Sequence, residues 1–291
     1  MRENTMDIVN RLQQKHPLLS FEVFPPKTLN GEENLFHELS VMVGFKPDFI
    51  SVTYGAGGST REKTLEIATR IKSTFSIEPL IHFTCVGQSR HDIAIYLNHV
   101  KSLGFNNILA LRGDPPAGQH QFTPHPEGFK YANELVEFIR TMDHFTIGVA
   151  GYPEGHIEAP DLDTDITNLK RKVDAGADFI ITQLFFNNDK FYTFMDKTAK
   201  AGITIPIIPG IMPLTNMAQL QKITTMCNPD MPAPLLREIE KCTLPDDICK
   251  VGIEFTINQC KELQSYGVPG FHFYPLNKSA AVKSILDEFW H

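Results

Sequence analysis

Short apolar runs rich in β-branched and aromatic residues recur along this chain at 18–24, 49–53, 79–85, 107–111, 146–150, 179–184, 206–211 and 270–274. Longer stretches with helical periodicity lie between them, at 62–74, 93–103, 131–142, 166–175 and 246–266 among others. Strand-then-helix repetition implies parallel strands, because each crossover must carry the chain back to the same end of the sheet. Eight such units predict an α/β fold of the (β/α)8 TIM-barrel type. The spacing is regular except before the last strand, where 217–264 predicts extra helices. An open doubly wound sheet is disfavoured, since the turn after the first strand has no GxGxxG. No linker or shift of composition divides the chain, so residues 1–291 are read as one catalytic domain.

Charge and cysteine usage narrow the partners. A net charge of −7, a pI near 5.9 and the lack of a Lys/Arg run argue against nucleic acid. Five cysteines without a CxxC offer neither a disulfide framework nor a zinc pattern, so no metal is expected and a reducing cytoplasm suits the chain. No signal-peptide core or membrane-spanning run is present in the sequence.

In a parallel barrel, chemistry sits where strands end. The first strand ends in Ser20-Phe21-Glu22-Val23-Phe24-Pro25-Pro26-Lys27; alternation sets Ser20, Glu22 and Phe24 on one face and Phe21 and Val23 on the other. Glu22 is either a structural carboxylate with a hydrogen-bond partner or a general acid whose pKa is raised by desolvation. The other strand ends carry Thr53-Tyr54, His82 with Thr84, Arg112-Gly113-Asp114, Tyr152 with His156, Gln183, and Asn277-Lys278. The run 55–60, GAGGST, is either an anion cradle or a plain glycine turn. Arg112 and Asp114, one glycine apart, suit an anionic or hydrogen-bonding heterocycle better than a solvated salt bridge. Asp165, Asn168 and Lys172 share one stripe, placed by the pattern near the N-terminal half of a helix at the barrel mouth. That stripe is either a solvated face or a holder of sugar hydroxyls and a phosphate.

Together the runs SFEVFPPK, SVTYGAGGSTREKT, HFTC, ALRGDPP, GYPEGH, NLKRKVDAGAD, ITQLFF, PGIMP and FHFYPLN resemble the catalytic barrel of the methylenetetrahydrofolate reductase family. The chain's end soon after the eighth strand resembles the family's short bacterial form, without the S-adenosylmethionine-binding regulatory domain of longer eukaryotic members. The resemblance implies an FAD enzyme of one-carbon metabolism and methionine biosynthesis. It would take hydride from NADH or NADPH and pass it in ping-pong fashion to 5,10-methylenetetrahydrofolate, giving 5-methyltetrahydrofolate. Glu22 would be the general acid, and Asp114 would tune the flavin and hold the pterin. Tyr54, Ala56, His82, Arg112, Gly113, Asp114, Tyr131, Ala132, Tyr152, His156, Asp165, Asn168, Arg171 and Lys172 would surround FAD. Thr53, Gln183, Gln219 and Lys278 would meet nicotinamide or folate. Two departures stand out: Lys278 replaces an arginine and Ile223 an aromatic, which weakens a carboxylate fork and a stacking contact. The family also implies a cytoplasmic homo-oligomer. Two other classes fit the same constellation: a flavin-free barrel lyase or aldolase, and a flavin- or folate-binding protein without turnover.

Overall fold

A computed structural model describes residues 8–14, 16–54, 61–114, 122–227 and 229–290. Among these, eight parallel strands close into a barrel in chain order. They are β1 (Leu18–Val23), β2 (Phe49–Val52), β3 (Glu78–Thr84), β4 (Asn107–Leu111), β5 (Thr146–Gly151), β6 (Phe179–Leu184), β7 (Ile207–Ile211) and β8 (Gly270–Phe273). The helices are α1 (Ile8–Leu12), α2 (Leu29–Met42), α3 (Arg61–Phe75), α4 (Arg90–Ser102), α5 (Ala132–Arg140), α6 (Leu162–Asp174), α7 (Asn188–Lys200), α8 (Met217–Cys227), α9 (Ala233–Lys241), α10 (Pro245–Tyr266) and α11 (Ala280–Phe289). The eight expected strands are found, and α8, α9 and α10 are the extra helices before the last of them.

The two-residue period of each strand decides which side chains meet. Outward residues such as Leu19, Phe21, Val23, Ile50 and Val52 pack under the helices in the large core between sheet and helix ring. Inward residues form layers up the barrel axis. The lowest layer is apolar: Leu18, Phe49, Leu80, Leu109, Phe179 and Ile208 cluster with Ile8 of α1, which stoppers that end. Two residues further along β1, β2, β3 and β8 stand Ser20, Ser51, His82 and His272, all buried. Next along the first three come Glu22, Thr53 and Thr84, which line a cavity. Polarity therefore rises along every one of these strands toward the end where loops begin.

Helix ends are fixed by local chemistry. Ser89 and Asp92 form a capping box at the start of α4, and the Asp161 carboxylate accepts the Thr164 N–H at 2.7 Å at the start of α6. The elaboration before β8 has its own apolar cluster, in which Leu184, Phe186 and Leu214 meet Leu220 and Ile223 of α8 and Leu235 and Ile239 of α9. Among the described residues, no helix is long and apolar enough to cross a membrane.

Candidate active site

A cavity of about 760 Å³ opens at the strand ends. Its size suits a small-molecule site. Glu22, Thr53, Tyr54, His82, Arg112, Gly113, Asp114, Tyr131, Ala132, Tyr152, His156, Asp165, Asn168, Arg171, Lys172 and Gln183 all line it. The run 55–60, with Ala56, lies outside the described residues.

The floor is built around Glu22, whose side chain is 24% exposed. Its Oε2 lies 3.4 Å from His82 Nε2 and 3.9 Å from His272 Nε2. Ser20 Oγ donates to the Phe271 carbonyl and sits 2.8 Å from His272 Nδ1. Ser51 Oγ lies 3.4 Å from Nε2 on the other side of the ring, so both ring nitrogens have a buried serine beside them and Nε2 also faces Glu22. Phe49 stacks on this imidazole and Tyr274 meets it edge-on, so the ring has one orientation. Burial pushes His82 down to about 4, which makes it neutral at pH 7, and its Nε2 has no hydrogen-bond partner. The Glu22 acidity differs from the sequence expectation. Burial raises its pKa, but the hydrogen bond from His272 and the charges available on His82 and His272 outweigh burial, so the carboxyl is lowered, not raised. The correction comes from His272, 250 residues away along the chain and not foreseen as a neighbour.

Tyr54 is pinned by two residues that local sequence did not single out. Its hydroxyl accepts from Arg61 Nε at 3.0 Å and Gln88 Nε2 at 3.2 Å, while Gln88 also donates to the Thr84 carbonyl. Thr84 Oγ1 is buried beside this network and has no partner.

The rim begins where β4 ends. Gly113 has φ +90°, and a Cβ there would come within 2.9 Å of Thr84, so backbone alone fits. The Arg112 fork grips Glu158 at 2.5 and 2.7 Å, a partner that the sequence reading did not name. Glu158 comes from the loop after β5, too distant in sequence to be foreseen. Asp114 is exposed. His156 accepts the Glu158 N–H and packs edge-on to Tyr152, and burial with the Arg112 charge lowers its pKa.

On α6, the polar stripe runs to the last turn instead of staying in the N-terminal half. Asp165 is buried, which raises its pKa against the pull of Lys172. Lys172 donates to the Ala150 carbonyl at 2.5 Å, and burial pushes the ammonium down to about 8. Asn168 accepts from Arg171 at 3.1 Å.

Gln183 closes the far wall; its Oε1 accepts the Leu184 N–H at 2.9 Å where the β6–β7 register shifts. Gln219 and Lys278 are not brought to the cavity. The Gln219 amide is spent on Thr215 and the Pro213 carbonyl at the start of α8, and Lys278 is exposed. Ile223 is buried between α8 and α9.

The donor set fits a dinucleotide flavin. His82 Nε2 and Thr84 Oγ1 are buried without partners, Lys172 is a desolvated cation, and Asp165 and Asn168 offer hydroxyl partners.

Comparisons with known proteins bear on the family. The family described as methylenetetrahydrofolate reductase matches residues 7–289. Methylenetetrahydrofolate reductase (NADH) 1 of Arabidopsis thaliana is 41% identical over 97% of this chain and 50% of its own length. The 5,10-methylenetetrahydrofolate reductase of Escherichia coli K12 is 38% identical over 90% of this chain and 86% of its own length. This chain thus spans about half the length of the plant relative. A solved protein from Clostridium thermocellum, described as binding two copies of 5-methyl-5,6,7,8-tetrahydrofolic acid, shares the fold with a TM-score of 0.61 at 14% identity over 95% of both chains.

Proposed function

The chain belongs to the methylenetetrahydrofolate reductase family, and on that premise we propose that it reduces 5,10-methylenetetrahydrofolate to 5-methyltetrahydrofolate with FAD and NADH or NADPH. What carries the reading is a carboxylate between two histidines at the floor of a cavity whose rim is charged.

Bound FAD would supply the hydride relay, accepting from nicotinamide and giving to the folate one-carbon unit in two successive half-reactions. The protein's part is proton handling, binding and alternation of two substrates in one cavity. Opening the imidazolidine ring needs a proton at the departing nitrogen, and Glu22 is the donor. His272, whose Nε2 lies 3.9 Å from the carboxyl, is placed to pass that proton to Glu22. A pterin over Glu22 excludes water, which pushes the carboxyl toward its protonated form. Lys172, Arg112 and His156 would meet the anionic part of FAD, Asp165 and Asn168 its hydroxyls, and His82 and Thr84 its ring edge. Thr53 and Gln183 would meet nicotinamide and pterin in turn. The protein acts as a cytoplasmic homo-oligomer.

A second reading has one observation in its favour: a lysine lowered to about 8 in a cavity is what a Schiff-base aldolase needs. Purified protein decides between them. It should be yellow, bleach with NADH or NADPH without oxygen, and recolour with methylenetetrahydrofolate. Colourless protein that refuses FAD and is trapped by borohydride with a carbonyl compound would replace the reductase by the aldolase. Bleaching without recolouring would leave a binder.

A further inference from the structure

Strands β1 and β8 part company just below Glu22. Their ladder ends at Phe21 and Phe273, whereas β1 stays paired with β2 through Val23 and Val52. Glu22 therefore stands on a strand end held by its neighbour on one side only.

Asn277 supplies the other side. Its Oδ1 accepts the Phe24 N–H at 3.0 Å and its Nδ2 donates to the Phe24 carbonyl at 2.8 Å. A primary carboxamide carries the same donor and acceptor as a peptide group, so this side chain stands in for a missing rung of the ladder. Bringing it there costs backbone freedom. Leu276 and Asn277 have φ of 53° and 58°, a left-handed region that asparagine visits and leucine rarely does. Two residues on, the Ser279 N–H and hydroxyl both donate to Glu38 on α2, at 2.7 and 2.5 Å. The loop after β8 is thus tied both to the end of β1 and to the helix that follows it.

We propose that Asn277 is a positioning residue for Glu22: its amide completes the β1 strand end and so fixes the carboxyl where the folate nitrogen must receive its proton. The inference rests on the reading of Glu22 as general acid. Asn277 does not line the cavity, so its effect is confined to the half-reaction that needs the proton.

Two half-reactions and a double substitution test it. In Asn277→Ala, reoxidation of reduced flavin by methylenetetrahydrofolate should slow about 10- to 100-fold, the scale of a 1 Å misplacement. FAD content and flavin reduction by NADH should stay within about twofold of the parent. Asn277→Gly tolerates the left-handed backbone without the amide and should be as slow, while Asn277→Asp keeps one of the two bonds and should fall between. Either replaces the alanine variant if that does not fold. Adding Glu22→Gln to Asn277→Gly should cost nothing beyond Glu22→Gln alone, because both act through one carboxyl. Equal slowing of both half-reactions, or additive losses, would make Asn277 merely structural and overturn the proposal. Normal reoxidation in Glu22→Gln alone would instead remove the general acid itself, and parent protein that takes up no FAD would remove the reductase reading.

Discussion

The floor of the cavity and its rim both carry charge, but they treat it in opposite ways. On the floor, Glu22, His82 and His272 are packed together with few partners, and His82 Nε2 has none. On the rim, Arg112 is bound to Glu158, Asn168 to Arg171, and Asp114 faces water. Interactions among buried groups are strong and shift acidities, whereas solvated pairs exchange partners at little cost. The floor is therefore suited to moving a proton and the rim to taking up and releasing ligands. Lys172 lies between these extremes, with a rim function in a floor-like environment.

The largest effect should come from the floor. Glu22→Gln keeps shape but has no transferable proton, so flavin reoxidation by methylenetetrahydrofolate should fall by about 10²- to 10⁴-fold while flavin reduction is spared. Stopped-flow absorbance of each half-reaction checks this. Equal losses in both would mean that the floor binds and does not catalyse, and the contrast with the rim would collapse.

Lys172→Met comes next, because the intermediate case tests whether burial or position decides the role. Loss of a charge-assisted bond should weaken FAD binding by about 10- to 100-fold, read by quenching of flavin fluorescence. Its pH dependence has a definite sign. With the ammonium lowered to about 8, affinity should be flat below that value and fall above it, by up to about tenfold per pH unit, until the raised pKa of the bound state is passed. Stability runs the other way. The unfolded chain holds this proton up to about 10.5, so between about 8 and 10.5 the group's penalty on folding is relieved as pH rises. Lys172→Met should consequently melt higher than the parent at pH 7 while binding flavin less well. A variant that melts lower would make Lys172 a structural cation.

Where these residues would fall was legible unevenly, for reasons the two regions make plain. The barrel follows from period and spacing, which are local; the runs 107–111 and 179–184 match β4 and β6 end to end. Strand ends also announce themselves locally, which is why Glu22, His82, Arg112 and Gln183 could be named and are found on one cavity. Partners could not be read. His272 meets Ser20 across 252 residues, Arg112 meets Glu158 across 46, and Tyr54 depends on Gln88 across 34. Acidity is set by such partners, so the Glu22 shift was expected with the wrong sign. The positions of Gln219 and Ile223 were hard to read for a related reason: α8 and α9 form a separate cluster, and helix periodicity does not say which apolar body a helix faces.

Gln183→Glu should have a smaller effect, shared between substrates. Glutamate can still accept the Leu184 N–H but loses the amide donors and gains a charge. Dissociation constants for nicotinamide and folate, from the two half-reactions, should each rise about fivefold, the scale of one hydrogen bond, with bound FAD unchanged. A change in only one would split the two substrates onto different walls.

Asp114→Asn should have the smallest effect, and it measures how wet the rim is. A carboxylate beside a flavin disfavours the electron-rich reduced ring, so removing it should raise the reduction potential, ease reduction by nicotinamide and slow donation to folate. Asp114 is exposed, however, and at 4 Å in water a unit charge is worth about 1 kcal/mol, equivalent to about 20 mV for a two-electron couple. A rise of that size, by anaerobic titration against a reference dye, fits a solvated rim carboxylate within reach of the ring. No rise would put Asp114 out of reach of the flavin. A rise above about 60 mV would require a medium of much lower dielectric, so that binding of the cofactor dries the rim and erases the difference between the two regions.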